Sequence, residues 1–247
     1  MQNRLPTIQE INAQLQSIKK REFAEAKENY CVYMELVTHG RWKRAKHLDF
    51  LCDYLQRVEA GEIDKLIITM PPRHGKSMTV TESFPSWFIG RNPERRVIEV
   101  SYGADLARKF GLSNRRKLDE FGMDIFGIRI ALDNANATNW GIEKHSGGMI
   151  SAGIGGAITG QGADLLIVDD PIKNRQEAES QTYRENIWAE WKDTLSSRLH
   201  PGGRVVVIMT RWHEDDLVGR LLAQNDSWIL IKQPPHTRDF SHELGGI

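Results

Sequence analysis

Glycine, lysine and serine stand in a row at Gly75, Lys76 and Ser77, inside ITMPPRHGKSMTV (68–80), where an apolar run halts at two prolines. The trio completes the phosphate-loop pattern GxxxxGK(S/T), with Met70 in place of the first glycine. If a buried strand enters such a loop and a helix leaves it, successive backbone N–H groups and the helix N-terminus point at phosphate oxygens. Pro72, Arg73, His74 and Met78 would then line the cradle, and Gly75 would let the backbone approach. Lys76 would neutralise charge between the β and γ groups, and Ser77 would offer a hydroxyl to Mg2+. The plainer alternative is a proline-stiffened turn with a chance Gly-Lys-Ser.

A second stretch decides between them. DLLIVDDP (164–171) is an apolar strand that ends in two carboxylates, as a magnesium-holding strand beside a phosphate loop requires. Asp169 would hold the metal, usually through water, and Asp170 would orient and deprotonate the attacking water. Asp-Asp-Pro is also a competent turn and helix cap. A third stretch, VVVIMTRWHEDDL (205–217), puts Thr210 at a strand's carboxyl end, where it could sense the γ-phosphate. Glu214, Asp215 and Asp216 suit the first turn of a following helix equally well. His213 has no second metal ligand at a fitting helical spacing.

These groups need a sheet to carry them. Apolar runs at 66–70, 97–102, 165–168, 205–209 and 228–231 read as strands buried on both faces. Helical stretches between them, at 76–89, 104–117, 176–195 and 214–223, imply parallel strands with crossovers, hence an α/β domain. Residues 139–153 read as a hairpin turning at Gly147 and Gly148, and the glycine-dense 153–162 as a loop able to change shape. Upstream, Thr7 to Glu10 forms a T-x-x-E capping box, followed by Ile8, Ile11, Leu15 and Ile18 at helical spacing. The pattern predicts a helical region over 1–60, an α/β core over 61–232, and a linker over 233–247.

Lys plus Arg and Asp plus Glu number 33 each, so no global basic field advertises nucleic acid, and a polyanion must be met by local patches. Candidates are Lys19, Lys20 and Arg21; Arg41, Lys43, Arg44 and Lys46; Arg91, Arg95 and Arg96; and Arg108, Lys109, Arg115, Arg116 and Lys117. Each can equally be a solvated face. Cys31 and Cys52, the only cysteines, fit core positions in a reducing cytosol. No apolar run approaches the length of a membrane span.

Together MPPRHGKS, GADLLIVDDP and MTRWHEDDL resemble the large terminase subunit of tailed bacteriophages, the motor that drives viral DNA into an empty capsid. The resemblance implies a RecA-like ATPase domain using ATP and Mg2+, with 71–77 as its Walker A loop, Asp169 and Asp170 as Walker B and catalytic carboxylate, and 209–211 as its coupling motif. Many relatives carry Glu where this chain has Asp170. It also implies an adenine contact before the loop, with Trp42 or His47 available in GRWKRAKHLDFL (40–51). A charge-stabilising arginine is expected, with Arg73 as the candidate within one subunit and Arg129, Arg198 or Arg211 acting in place or from a neighbour. Implied partners are double-stranded DNA gripped without regard to sequence, the portal protein, the small terminase subunit and further copies in a ring, in the host cell cytoplasm. The family's nuclease domain has no room in the residues after the coupling motif. A helicase or other remodelling ATPase, and a nucleotide-binding scaffold without turnover, are the rival readings.

Overall fold

The computed structural model describes residues 7–156, 158, 160–224, 226–232 and the backbone of 241–244. Its centre is a nine-stranded sheet flanked on both faces by helices. In chain order the elements are α1 (Ile8–Glu28), α2 (Tyr30–Val37), α3 (Lys46–Ala60), β1 (Lys65–Thr69), α4 (Lys76–Thr79), α5 (Phe84–Arg91), β2 (Arg96–Ser101) and α6 (Ala104–Phe126). The hairpin region follows as β3 (Ile130–Ala135), β4 (Asn139–Ile142) and β5 (Gly148–Gly153), and then β6 (Ala163–Asp169). After α7 (Arg175–Glu179) and α8 (Gln181–Glu190), a π-helical turn (Trp191–Leu195) and a 3-10 turn (Ser196–Arg198) lead into β7 (Leu199–Met209). The chain ends with α9 (Leu217–Ala223), β8 (Ile229–Lys232) and β9 (Ser241–Leu244).

The spatial order is β3-β4-β5-β2-β6-β7-β1-β8-β9. From β5 to β8 every pairing is parallel, while β3, β4 and β9 add antiparallel edges. Alternation sorts the strands' side chains onto two cores. Leu66, Ile68, Val97, Leu165, Ile167, Val206 and Ile208 pack under α2, α3 and α5, whereas Ile67, Ile98, Val100, Leu166, Val168, Val205 and Val207 pack under α8 and α9. Burial on both faces is why these runs carry almost no polar residues, and it puts the strands' carboxyl ends on one edge of the sheet.

Of the boundaries that differ from the sequence reading, including β7 beginning at Leu199 and α9 at Leu217, four have a clear local reason. The helix expected over 76–89 is two helices, because Pro85 lacks an N–H and its ring excludes the carbonyl four residues back. That over 176–195 is interrupted at Ser180, whose hydroxyl caps α8 by accepting from the Tyr183 N–H. The helix expected over 104–117 continues to Phe126 and stops where Gly127 takes a φ of 76°. The stretch 233–247, read as a linker, contributes β9 on the edge beside β8, while 233–240 and 245–247 lie outside the described residues. The expected capping box is present: the Glu10 N–H donates to Thr7 Oγ1 at 3.2 Å and the Thr7 N–H to Glu10 Oε2 at 2.7 Å. The Ile8, Ile11, Leu15 and Ile18 stripe of that helix is exposed rather than packed.

Candidate functional site

Three neighbouring strands, β6, β7 and β1, deliver the site at their carboxyl ends. β1 runs into Met70, Pro71 and a loop in which Arg73 (φ 65°) and Gly75 (φ 83°) both adopt left-handed backbone. At Gly75 a Cβ would also stand 3.2 Å from Leu48 Cδ2, so glycine meets both demands. This turn sets Lys76 at the start of α4, only 6 % exposed. β6 ends at Asp169, and the chain then bends through Asp170 at φ 42°, an uncommon conformation for a residue with a side chain. The Asp170 N–H donates to Ile208 O at 2.8 Å, which anchors that bend to β7. β7 ends at Met209, followed by Thr210.

The three ends meet. Lys76 Nζ donates to Asp170 Oδ2 at 2.5 Å and to Thr210 Oγ1 at 3.0 Å. The Thr210 N–H donates to Asp170 Oδ1 at 2.8 Å. Both Asp170 oxygens are therefore engaged, one by a cation and one by a backbone amide. Asp169 lies just behind, 1 % exposed, and its Oδ2 accepts from Thr81 Oγ1 at 2.6 Å while its Oδ1 has no hydrogen-bond partner. Burial, and then the neighbouring Asp170 charge, push its carboxyl up to about 7; the Thr81 hydroxyl, the Lys76 ammonium and the Ser77 hydroxyl pull the other way. Lys76, Ser77, Asp169, Asp170 and Thr210 thus form one cluster.

The remaining expected residues divide. Arg73, His74, Gly75 and Met78 line a cleft of about 880 Å3 next to the cluster, whose opposite wall is 41–48. Pro72 is exposed, with its carbonyl 2.8 Å from His74 Nδ1. His47 also lines the cleft, its Nε2 3.3 Å from the His74 carbonyl and its buried Nδ1 unpartnered. Trp42 is buried and donates its indole N–H to Thr79 Oγ1 at 2.8 Å, so it packs behind the loop and is not available to stack. Arg211 is tied by its Nε to the buried Asp216 at 2.7 Å. Arg198 turns back to Thr194 O at 3.3 Å, and Arg129 sits beside β3 at the far edge of the sheet. His213 Nδ1 accepts from the Asp215 N–H at 2.9 Å, a turn contact.

Several basic residues have structural work instead. Arg91 and Arg95 clamp Glu59 at 3.0 and 2.6 Å, Arg44 pairs with Asp49 and Lys109 with Glu82. Lys117 is buried, and burial lowers its ammonium to about 8.

Two groups escaped the sequence reading. Thr81 is one. Glu99 is the other, an acid at the centre of β2 with no exposed surface. Its Oε1 accepts from Ser101 Oγ at 2.7 Å, while its Oε2 and the Oγ of Ser151, its partner in β5, have none. Burial pushes its carboxyl up to about 8. A group that keeps its proton longer in the folded state contributes stability that is full below its ordinary value and lost as pH rises through about 8. We therefore expect Glu99→Gln, which is neutral throughout, to remove a decline of about 1.4 kcal/mol per pH unit between pH 5 and 8. Denaturant titrations at a series of pH values measure this, and parallel profiles for the two proteins would refute it.

Among the described residues no group of three or more His, Cys, Asp or Glu side chains gathers to hold a metal. Mg2+ needs no such cage when a phosphate supplies further oxygens, since one or two carboxylates and several waters complete its shell. The unpartnered Asp169 Oδ1 and the Ser77 hydroxyl beside it are the donor types such an ion takes. Among the described residues no helix is long and apolar enough to cross a membrane.

Fold and cluster define an α/β protein with a glycine-lysine-serine loop set against paired carboxylates across three parallel strands. The family model described as terminase large subunit, T4likevirus-type, N-terminal, matches residues 67–240, and the chain belongs to that family. Its role accordingly lies in phage DNA packaging, a family setting in which large subunits are generally ATPases. A search of curated proteins finds no match.

Proposed function

We propose that this chain is the ATPase motor portion of a DNA-packaging terminase, a RecA-like domain over residues 61–232 with a helical region ahead of it. The observation that carries the reading is the contact of Lys76 with both Asp170 and Thr210 at the ends of adjacent strands. Asp170, bent towards the edge at φ 42°, is the general base: water must reach it once Lys76 turns from it to phosphate. Lys76, Ser77 and the backbone amides of 73–78 would hold the triphosphate, with Pro72 and Met78 shaping the loop's two ends. Ser77 and Asp169 would hold Mg2+, which supplies charge neutralisation across the phosphates. His47, which lines the cleft and is less buried than Trp42, is the better of the two adenine contacts. Arg73, exposed beside the loop, is the arginine available within one subunit.

Thr210 bonds both to Lys76 and, by its amide, to Asp170. Loss of the γ-phosphate would let these contacts re-form, and the movement would pass along the loop to α9. Double-stranded DNA, a ring of copies on the portal and the small subunit are the partners this implies. Grip on phosphates would be independent of sequence and weakened by salt. The decisive experiment measures phosphate release from ATP and Mg2+ with and without double-stranded DNA. Turnover that DNA raises supports the motor. Tight nucleotide binding with no release in either condition would replace it with a non-hydrolysing scaffold.

A further inference from the structure

The break between α4 and α5 leaves a row of backbone carbonyls with no helical partner, and each is answered from elsewhere. Thr79 O accepts from the Tyr30 hydroxyl of α2. Thr81 O accepts from Asn114 Nδ2 at 2.8 Å and Glu82 O from Lys117 Nζ at 2.6 Å, both from α6. Buried backbone groups without partners are costly, so this segment holds its unusual path only because those side chains are there. The path has one outcome at the site. Thr81, whose own N–H still donates to Ser77 O at 2.9 Å, turns its hydroxyl onto Asp169 Oδ2 at 2.6 Å.

We propose that Thr81, fixed in place by Asn114, is a positioning residue that sets which oxygen of Asp169 is left open to the site. Thr81 and Asn114 have no exposed surface. Asn114 is fully committed: Oδ1 accepts from the Ser86 N–H at 3.0 Å, and Nδ2 donates to Thr81 O and to Phe110 O at 3.0 Å. Its amide cannot rotate without losing bonds to three different backbone groups. A carboxylate with one oxygen pinned and the other unpartnered presents a single, oriented acceptor, which is the arrangement a metal-bound water requires. Pro85 begins this chain of cause, and α6 completes it.

The inference rests on the proposed Mg·ATP site, so the test separates the two. A fluorescent ATP analogue is titrated into the intact protein in EDTA and at stepped Mg2+ concentrations. Thr81→Val, similar in shape but without the hydroxyl, should raise the Mg2+ midpoint roughly ten- to hundredfold. Its affinity for the analogue in EDTA should stay at the wild-type level, and Thr81→Ser should restore the midpoint. A merely structural role would lower both affinities together, and serine would not separate them. Should Thr81→Val fail to fold, Thr81→Ala is measured the same way. A wild-type midpoint in the hydroxyl-less variant overturns the positioning alone. Wild-type protein that binds no analogue in any condition overturns the nucleotide site and the positioning with it.

Discussion

Lys76→Ala should reduce ATP turnover by roughly 10²- to 10³-fold, the scale seen when one positioned donor to a developing charge is removed. Lys76 is almost fully buried, and its ammonium is the cation in contact with Asp170. No neighbouring side chain can substitute in the same place: Arg73 lies on the exposed side of the loop, and Arg211 is held by Asp216 at 2.7 Å. The variant also leaves Asp170 without its ion partner, so the fold must be checked by a thermal melt alongside phosphate release. Near-wild-type hydrolysis in a folded Lys76→Ala protein would refute the assignment of the loop.

Asp170→Asn should separate binding from chemistry. The amide keeps the size of the carboxylate and can still accept the Thr210 N–H through Oδ1, so the strand ends stay together. It cannot take a proton from water, and loss of a general base costs roughly 10²- to 10⁴-fold in turnover. Nucleotide binding should hold or tighten, because the Lys76 ammonium, 2.5 Å from Asp170 Oδ2 in the wild type, would no longer be neutralised. Analogue titration gives the affinity and phosphate release gives the rate. Turnover within tenfold of wild type would move the base elsewhere, and a parallel collapse of binding would make Asp170 a structural residue.

The parallel sheet and the central cluster were legible because they obey local rules. Each of β1, β6 and β7 carries an apolar run towards its carboxyl end, and each run stops at a residue type with chemistry: the loop, the aspartates, the threonine. The grouping of Lys76, Asp170 and Thr210 needed only the strand-end rule of α/β sheets to assemble. Thr81 was not legible, because its partner lies 88 residues away and a lone threonine carries no periodic signal. Pro85 was the available clue, since a proline nine positions past Lys76 forbids an unbroken helix there. Glu99 sits within an apolar run, and a sequence does not state whether a strand acid faces solvent. Trp42 and His47 could not be told apart until packing turned one ring inward. The basic patches were misleading for a related reason: charge is read from composition, but whether it is spent on Glu59 or Asp49 depends on contacts made across the fold.

The Lys76 to Asp170 ion pair also has a bearing on what can enter. The Lys76 ammonium is already clasped by a carboxylate, so on the proposed nucleotide reading admission would proceed by exchange. A visitor must outbid that carboxylate in negative charge before the lysine will turn towards it. On the proposed nucleotide reading, uncharged nucleosides lack the means to do so, whereas polyphosphates carry it in surplus, and charge would select before shape is consulted.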